Sequence, residues 1–488
     1  MSAVAASIVP AEDRLLQKTL LFLLFLSLLF LGAFNDFALI NPDSAMLRTP
    51  SQVPLYLTAI VFAGYFACFG IRKRRFAFGT EHQLLALFIF WILASYVANF
   101  LSIATTDAAT VTGTRIYLNS MRLIVLMAAC CTIFSYVFTD REKVLETASK
   151  AIVWSFILVI PYTLIEFFAV FLYYEPAQGL MQMLDVYLHA RRGNEYVDQL
   201  FRLRGLAFEP SFFAAYLSVV LPWLLAAARK RGFLAKFLLA LALAFALFSR
   251  SRTAYVVIFF ELLLFYVLVK SHEPGKGWSS AIWRVFLATC FAALVGAILL
   301  VNNVSDFGGT TEQVAQISDT ASSLTDESIG SNVTRLGSQH AALLMALDNP
   351  VFGVGLGQAG GHMEEYYPAY FLAGDEAQLW LRVAHFELAA PTFGLFVGIA
   401  AELGFVGLAI FLVLWGFCLK RTYQKMVRLR DERGLEPHGL ALFVSSIGTL
   451  LAGFGLNGNS FTGYWLLLAL SFIYIGHGRI SVPLRNGT

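Results

Sequence analysis

Twelve apolar segments, most of them long enough to cross a bilayer, dominate this chain and leave few folds open to it. A helix needs roughly 20 apolar residues to span the hydrocarbon of a membrane. Such stretches lie near 18–39, 53–71, 83–104, 118–139, 150–174, 211–228, 233–249, 254–270, 284–303, 395–418, 439–456 and 463–477. In lipid the backbone must satisfy its own polar groups, so these stretches predict helices. Only 14% of the 488 residues are charged, against about 25% in soluble domains. The expected fold class is therefore all-α: a polytopic integral membrane protein of about 12 transmembrane helices, with residues 1–488 forming one membrane domain. The spans 233–249 and 254–270 can equally form one bent or re-entrant hairpin without changing the topology elsewhere.

The charges between the spans fix a direction. The loops at 72–75, 141–150, 229–231, 270–284 and 419–433 carry the lysines and many arginines, which assigns them, with both termini, to the cytoplasm. The opposite side has cationic charge only as arginine: Arg48, Arg115, Arg122, Arg191, Arg192, Arg202, Arg204, Arg250, Arg252, Arg335 and Arg382. Arginine without lysine near a bilayer surface suggests bidentate recognition of phosphate or carboxylate. Two outer segments are long, 175–210 and 304–394. The second is polar and rich in Gly, Ser and Thr at first, then amphipathic from Thr334 to Leu347. Its aromatic stretch 366–386 has the character of a helix lying against the membrane surface.

Cys68, Cys130, Cys131, Cys290 and Cys418 all fall in apolar segments, so neither a disulfide framework nor a metal-thiolate site is expected. The first apolar segment is long enough to span and lacks an A-x-A-like end, so no cleavable signal is expected. The glycines of GVGLGQAGG lack the preceding strand and following lysine or helix of a nucleotide loop.

Four motifs carry chemistry. FRLRGLAFEPSFFAAY (201–216) sets Arg202 and Arg204 before the start of a span and Glu209 at its head. A carboxylate there can cap the helix or face an outer cavity and accept a proton. ALFSRSRTAYVV (246–257) places Arg250 and Arg252 between apolar stretches with almost no loop. An arginine at the centre of a span costs about 2.5–3.5 kcal/mol, although one at the end of a hairpin can snorkel to the headgroups. Arg335 lies on the amphipathic segment that ends at Asn349-Pro350. Its neighbour His340 reads as a surface residue. In IAAELGFVGLAIF (399–411), Glu402 reads as a structural support for the outer loop, with Gly404 and Gly407 allowing close packing.

In this order, RGLAFEPSFFAAY, the S-R-T of SRSRTAY, the Arg335 helix followed by NPVFGVGLG, and ELGFVGL resemble the O-antigen polymerase and ligase superfamily over about residues 200–415. The resemblance implies a GT-C-like glycosyltransferase with a large periplasmic loop between two late spans. It also implies that Arg252 and Arg335 bind a diphosphate, joined in our reading by Arg204 and Arg250. In the ligase branch a histidine-asparagine pair precedes the E-x-G of the late span by about nine residues. Here that place holds Phe393 and Gly394, so the repeat-unit (Wzy-type) polymerases are the better match. Glu209 and His385 both remain candidates for the catalytic base.

The resulting expectation is a metal-independent enzyme without a cofactor, seated in a bacterial inner membrane with its active site facing the periplasm. It polymerises undecaprenyl-diphosphate-linked oligosaccharide. The bilayer is its medium, a chain-length regulator and a flippase are its expected partners by resemblance, and nucleic acid is not one. A ligase transferring to lipid A core or a protein is the nearest alternative. A transporter of lipid-linked glycan is the alternative from another class. It would predict related halves, and residues 1–240 show no similarity to 241–488.

Overall fold

The computed structural model describes residues 11–33, 49–69, 78–105, 107–108, 111–189, 202–207, 209–230, 233–272, 330–368, 391–430, 434–456 and 461–476. These form α1 (Ala11–Leu29), α2 (Val53–Phe69, preceded by a 3-10 turn), α3 (Thr80–Ala98), α4 (Phe100–Thr105), α5 (Gly113–Val137), α6 (Arg141–Phe171), α7 (Glu175–Leu188), α8 (Pro210–Lys230), α9 (Phe233–Phe248) and α10 (Arg252–His272). The later elements are α11 (Gly330–Asp348), α12 (Ala359–Tyr366), α13 (Leu395–Arg428), α14 (Pro437–Ala452) and α15 (Thr462–Ile475). Apart from a two-residue antiparallel pair before α5, the described secondary structure is helical, and the protein is an all-α polytopic membrane protein.

Seven of the described helices are long and apolar enough to cross a membrane, and α9, α14 and α15 are shorter apolar helices. The expected span at 284–303 lies outside the described residues, as do 304–329, most of the aromatic stretch at 366–386, and His385. The segments 233–249 and 254–270 are two separate helices joined by a turn of three residues.

Of the seven long described helices, α8 is the most enclosed. It packs on α6, α9, α10 and α14, and its Tyr216, Trp223 and Phe213 are among the largest fully buried side chains. Small hydroxyl residues let the helices approach closely: Ser218 lies 3.2 Å from Thr449, and Ser445 donates to the Val219 carbonyl at 2.9 Å. Paired contacts fix helix directions. Ser155 meets Tyr216 at 3.2 Å, while Gly205, just before α8, lies against both Thr163 and Phe213, so α6 and α8 run antiparallel. At one end of the bundle, Glu436 accepts from the first amides of α14 and from Tyr474 at the end of α15. Lys425, near the end of α13, donates to the Tyr474 carbonyl. α6 begins at this end and α10 finishes there, so Lys143, Lys150, Lys270, Lys420 and Lys425 gather at it.

A second, smaller core lies at the other end. Ala341, Ala342 and Met345 of α11 pack with Val354, Met363 of α12 and Ala401 of α13. This core seats the outer segment on the bundle.

Candidate active site

At the end opposite the lysines, arginines from three separate segments converge. α9 stops at Phe248 and α10 begins at Arg252, a reversal that forces Arg250 into the left-handed region at φ 46°. Few non-glycine residues adopt that conformation, and it costs of order 1–3 kcal/mol. The turn is held by the Tyr255 hydroxyl, which donates to the Leu247 carbonyl at 2.8 Å. The Arg250 guanidinium lies 5.6 Å above the Phe171 ring, where burial pushes its pKa down. The Leu203 amide donates to the Phe248 carbonyl at 3.1 Å, and this bond brings Arg202 onto the same turn. The Arg202 charge bears on both Arg250 and Arg252.

Arg335 arrives from the other side and also bears on Arg252. Its position follows from Gln339, one turn along α11, which donates to the Phe393 and Phe454 carbonyls at 2.8 and 2.9 Å. Phe393 has φ 50° and offers its ring to the Arg335 guanidinium at 5.7 Å. The loop after α14 in turn touches the first turn of α10, where a Cβ on Gly455 would meet the Thr253 hydroxyl at 2.9 Å. Arg252 and Arg335 are distant in sequence but share one rim because of these contacts. The convergence of like charges is unfavourable by itself and favours an anion between them.

Arg204, two residues from Arg202, points the other way. It is 2% exposed; its Nη2 donates to Asp185 Oδ2 at 3.1 Å, and its Nε lies 3.8 Å from Glu166 Oε1. The Arg204 and Gly205 amides also donate to the Glu166 carboxylate, at 3.1 and 2.9 Å. Tyr162 donates to Asp185 Oδ1 at 2.5 Å, and its ring lies 5.4 Å from that of His189. Burial alone would lower the Arg204 pKa, but Tyr162, Glu166 and Asp185 outweigh it and hold the guanidinium above its usual range. This network fastens RGLAFEP to α6 and α7.

Glu209 stands half-buried at the head of α8. Its carbonyl accepts from the Phe212 and Phe213 amides at 3.0 Å each, and its carboxylate accepts from the Ser211 hydroxyl at 3.3 Å. It therefore has the position of a cap, with its carboxylate at the arginine-bearing end of the bundle.

NPVFGVGLG docks on a break in α13. Gly404 has φ 72°, and the strand-like exposure of backbone on either side of it is used. Val354 and Gly355 donate to the Ala401 and Glu402 carbonyls at 2.9 and 3.0 Å, and Phe405 donates to the Pro350 carbonyl at 2.8 Å. A Cβ on Gly404 would lie 2.1 Å from the Val351 oxygen, and one on Gly353 would lie 2.3 Å from the Glu402 carbonyl carbon. Neither position admits another residue without displacement. Glu402 accepts from the Gly357 amide, so its carboxyl supports the loop. Trp91 of α3 stacks on Phe352 at 5.0 Å and donates to the Leu403 carbonyl at 2.9 Å. His340 is exposed.

Residues 237–412 match the model of the O-antigen ligase family. Over these residues the chain is similar to the O-antigen polymerase and ligase superfamily. The match takes in Arg250, Arg252, Arg335 and the broken part of α13, and leaves out RGLAFEP. No curated protein matches the chain. This similarity supports a membrane enzyme of the O-antigen ligase or polymerase type.

Sequence reasoning singled out Arg250, Arg252 and Arg335, which the structure brings together, and Arg204, which it turns inward. It passed over Arg202 as a cluster member and did not weigh Glu166, Asp185 or Glu261. The signal was present: each of these acids interrupts apolar sequence, where a charge is costly. Glu261 is buried in α10, has no hydrogen-bond partner for either carboxyl oxygen among the described residues, and packs against Gly448 of α14.

Proposed function

We propose that the protein is an inner-membrane polymerase that joins undecaprenyl-diphosphate-linked oligosaccharide units on the periplasmic side. The convergence of Arg202, Arg250, Arg252 and Arg335 carries this reading. The hydroxyl of one lipid-linked unit attacks the anomeric carbon of the other, the carbon–oxygen bond to diphosphate breaks, and undecaprenyl diphosphate leaves. Negative charge grows on the leaving diphosphate, and guanidinium groups suit it because they stay charged and match phosphate oxygens in pairs. In this reading arginines do the work a divalent cation does elsewhere, and the enzyme acts without metal. Inversion at the anomeric carbon is expected by analogy with the family. Glu209, at the head of α8, and His385 are the candidates to take the acceptor proton. Arg204 is occupied by Asp185 and Glu166, so its part is to position the segment that carries Arg202 and Glu209. A chain-length regulator and a flippase are the proposed partners.

The deciding experiment replaces Arg252 and Arg335 by lysine and reads polymer length on a gel. Polymer should fall sharply in both; normal polymer in both overturns the diphosphate reading. His385→Ala beside Glu209→Gln then separates the two bases. Loss of polymer in one variant alone, with protein still in the membrane, identifies the base.

A ligase is the second reading, favoured by the family that the match names. Phe393 under Arg335, at the place where the ligase branch has its histidine, favours polymerisation. Purified protein in liposomes with lipid-linked substrate distinguishes them, because elongation without any acceptor core is polymerase activity.

A further inference from the structure

α7 is not placed like an aqueous loop helix. It folds straight back along α6: Gln178 Nε2 donates to the Ala169 carbonyl at 3.2 Å, and Asp185 meets Tyr162. Seven residues along α7 therefore match seven along α6 in the opposite direction, a descent of roughly 10 Å at about 1.5 Å per residue. Its depth is set by α8. Thr163, one residue from Tyr162, lies beside Gly205 and Phe213 at the outer end of that span. The second half of α7 consequently lies at or below the level where α8 leaves the hydrocarbon.

The outward face at that depth is apolar. Met183, Val186 and Tyr187 are 57%, 70% and 53% exposed, while the one charged residue of α7 beyond its first turn, Asp185, is 1% exposed and turned to Tyr162 and Arg204. Phe168 and Leu158 of α6, beside it, are exposed apolar residues too. An uncharged, exposed strip packed along a span has the character of an interfacial helix, with the tyrosines Tyr173 and Tyr174 at its upper end.

We propose that the Met183–Tyr187 face of α7 is seated among the acyl chains of the leaflet on the arginine side, and that this lipid contact holds Asp185 against Arg204. The same helix thus has lipid on one face and the ion network on the other. The segment bearing Arg202 and Glu209 is anchored to the bilayer as well as to α6. The seating does not depend on which reaction the enzyme performs.

The test uses full-length protein in phosphatidylethanolamine–phosphatidylglycerol vesicles, with its five cysteines replaced by alanine and single nitroxide labels at Met183, Val186 and Glu175. Labels at Met183 and Val186 should collide with oxygen several-fold more than with a water-soluble nickel chelate, and the label at Glu175 should show the reverse order. Strong nickel collision at Val186 overturns the proposal in favour of an aqueous face. Weak collision with both reagents overturns it in favour of cover by protein. Because all three labels sit at exposed positions, an altered fold is recognised independently if the three variants elute differently from the unlabelled parent.

Discussion

Arg202 and Arg204 are separated by one leucine, yet they inhabit opposite electrostatic settings. Arg204 is enclosed with two carboxylates and a tyrosine hydroxyl, so its charge is balanced by the protein. Arg202 adds a cation beside Arg250 and Arg252, where like charges gather. The alternation follows from the backbone: the Leu203 amide is tied to the α9–α10 turn, and the Arg204 amide to Glu166. One tripeptide thus serves two purposes. The inward arginine fixes the fold, and in the proposed reaction the outward one joins the rim that binds diphosphate. A buried ion pair is weak evidence for net stability, but removing one partner leaves an uncompensated charge and is strongly destabilising.

The comparison breaks first at Arg204. Arg204→Met strands Asp185 and Glu166 together and should destabilise the protein by about 3–5 kcal/mol. The variant is expected to accumulate poorly in the membrane and to unfold at markedly lower temperature in detergent. If Arg204→Met keeps wild-type thermal stability while polymer disappears, the inward arginine is a ligand for substrate and the contrast with Arg202 is false. Asp185→Asn keeps the shape and an acceptor but weakens a charged hydrogen bond, so a smaller loss of about 1.5–3 kcal/mol is expected. That change should be read as a fall in melting temperature.

Most of the fold was legible because spans announce themselves by length and hydropathy: α3, α5, α6, α8, α10 and α13 lie where the apolar segments predict them. The end of α11 at Asp348 was legible too, since Pro350 disfavours helix in the residue before it. What the sequence could not reveal was orientation within a segment. The motif RLRGLAFEP sets two arginines before a span, and nothing local says that one faces α7, because Glu166 and Asp185 come from other elements. α7 was read as part of a loop for a related reason. Fourteen residues are too few to span, and only contacts with α6 show that they descend beside it. The break in α13 lay hidden in ELGFVGL: Gly404 reads as a packing glycine, and its positive φ is visible only against the Pro350–Gly355 backbone.

On the rim, Arg252→Lys and Arg335→Lys should leave melting temperature nearly unchanged, since neither guanidinium is enclosed as Arg204 is. Polymer formation should fall at least about tenfold, equivalent to roughly 1.4 kcal/mol of lost transition-state stabilisation, because an ammonium cannot make the paired contact. Equal loss of stability and polymer in these variants would erase the distinction between rim and anchor.

Arg202→Gln gives the smallest effect on stability and separates the two settings. Losing one cation from a cluster of like charges should change the stability of the free protein by no more than about 1 kcal/mol. The same change should weaken pyrophosphate binding, measured as a smaller rise in melting temperature when the anion is added to protein in detergent. The logic is linkage: an anion held only by the folded state raises stability by about 2.7 kcal/mol at a hundredfold excess over its dissociation constant, and a weaker site forfeits part of that rise. A variant that loses stability without the anion and gains the full increment with it would place Arg202 with Arg204 as an anchor. The rim would then consist of Arg250, Arg252 and Arg335 alone.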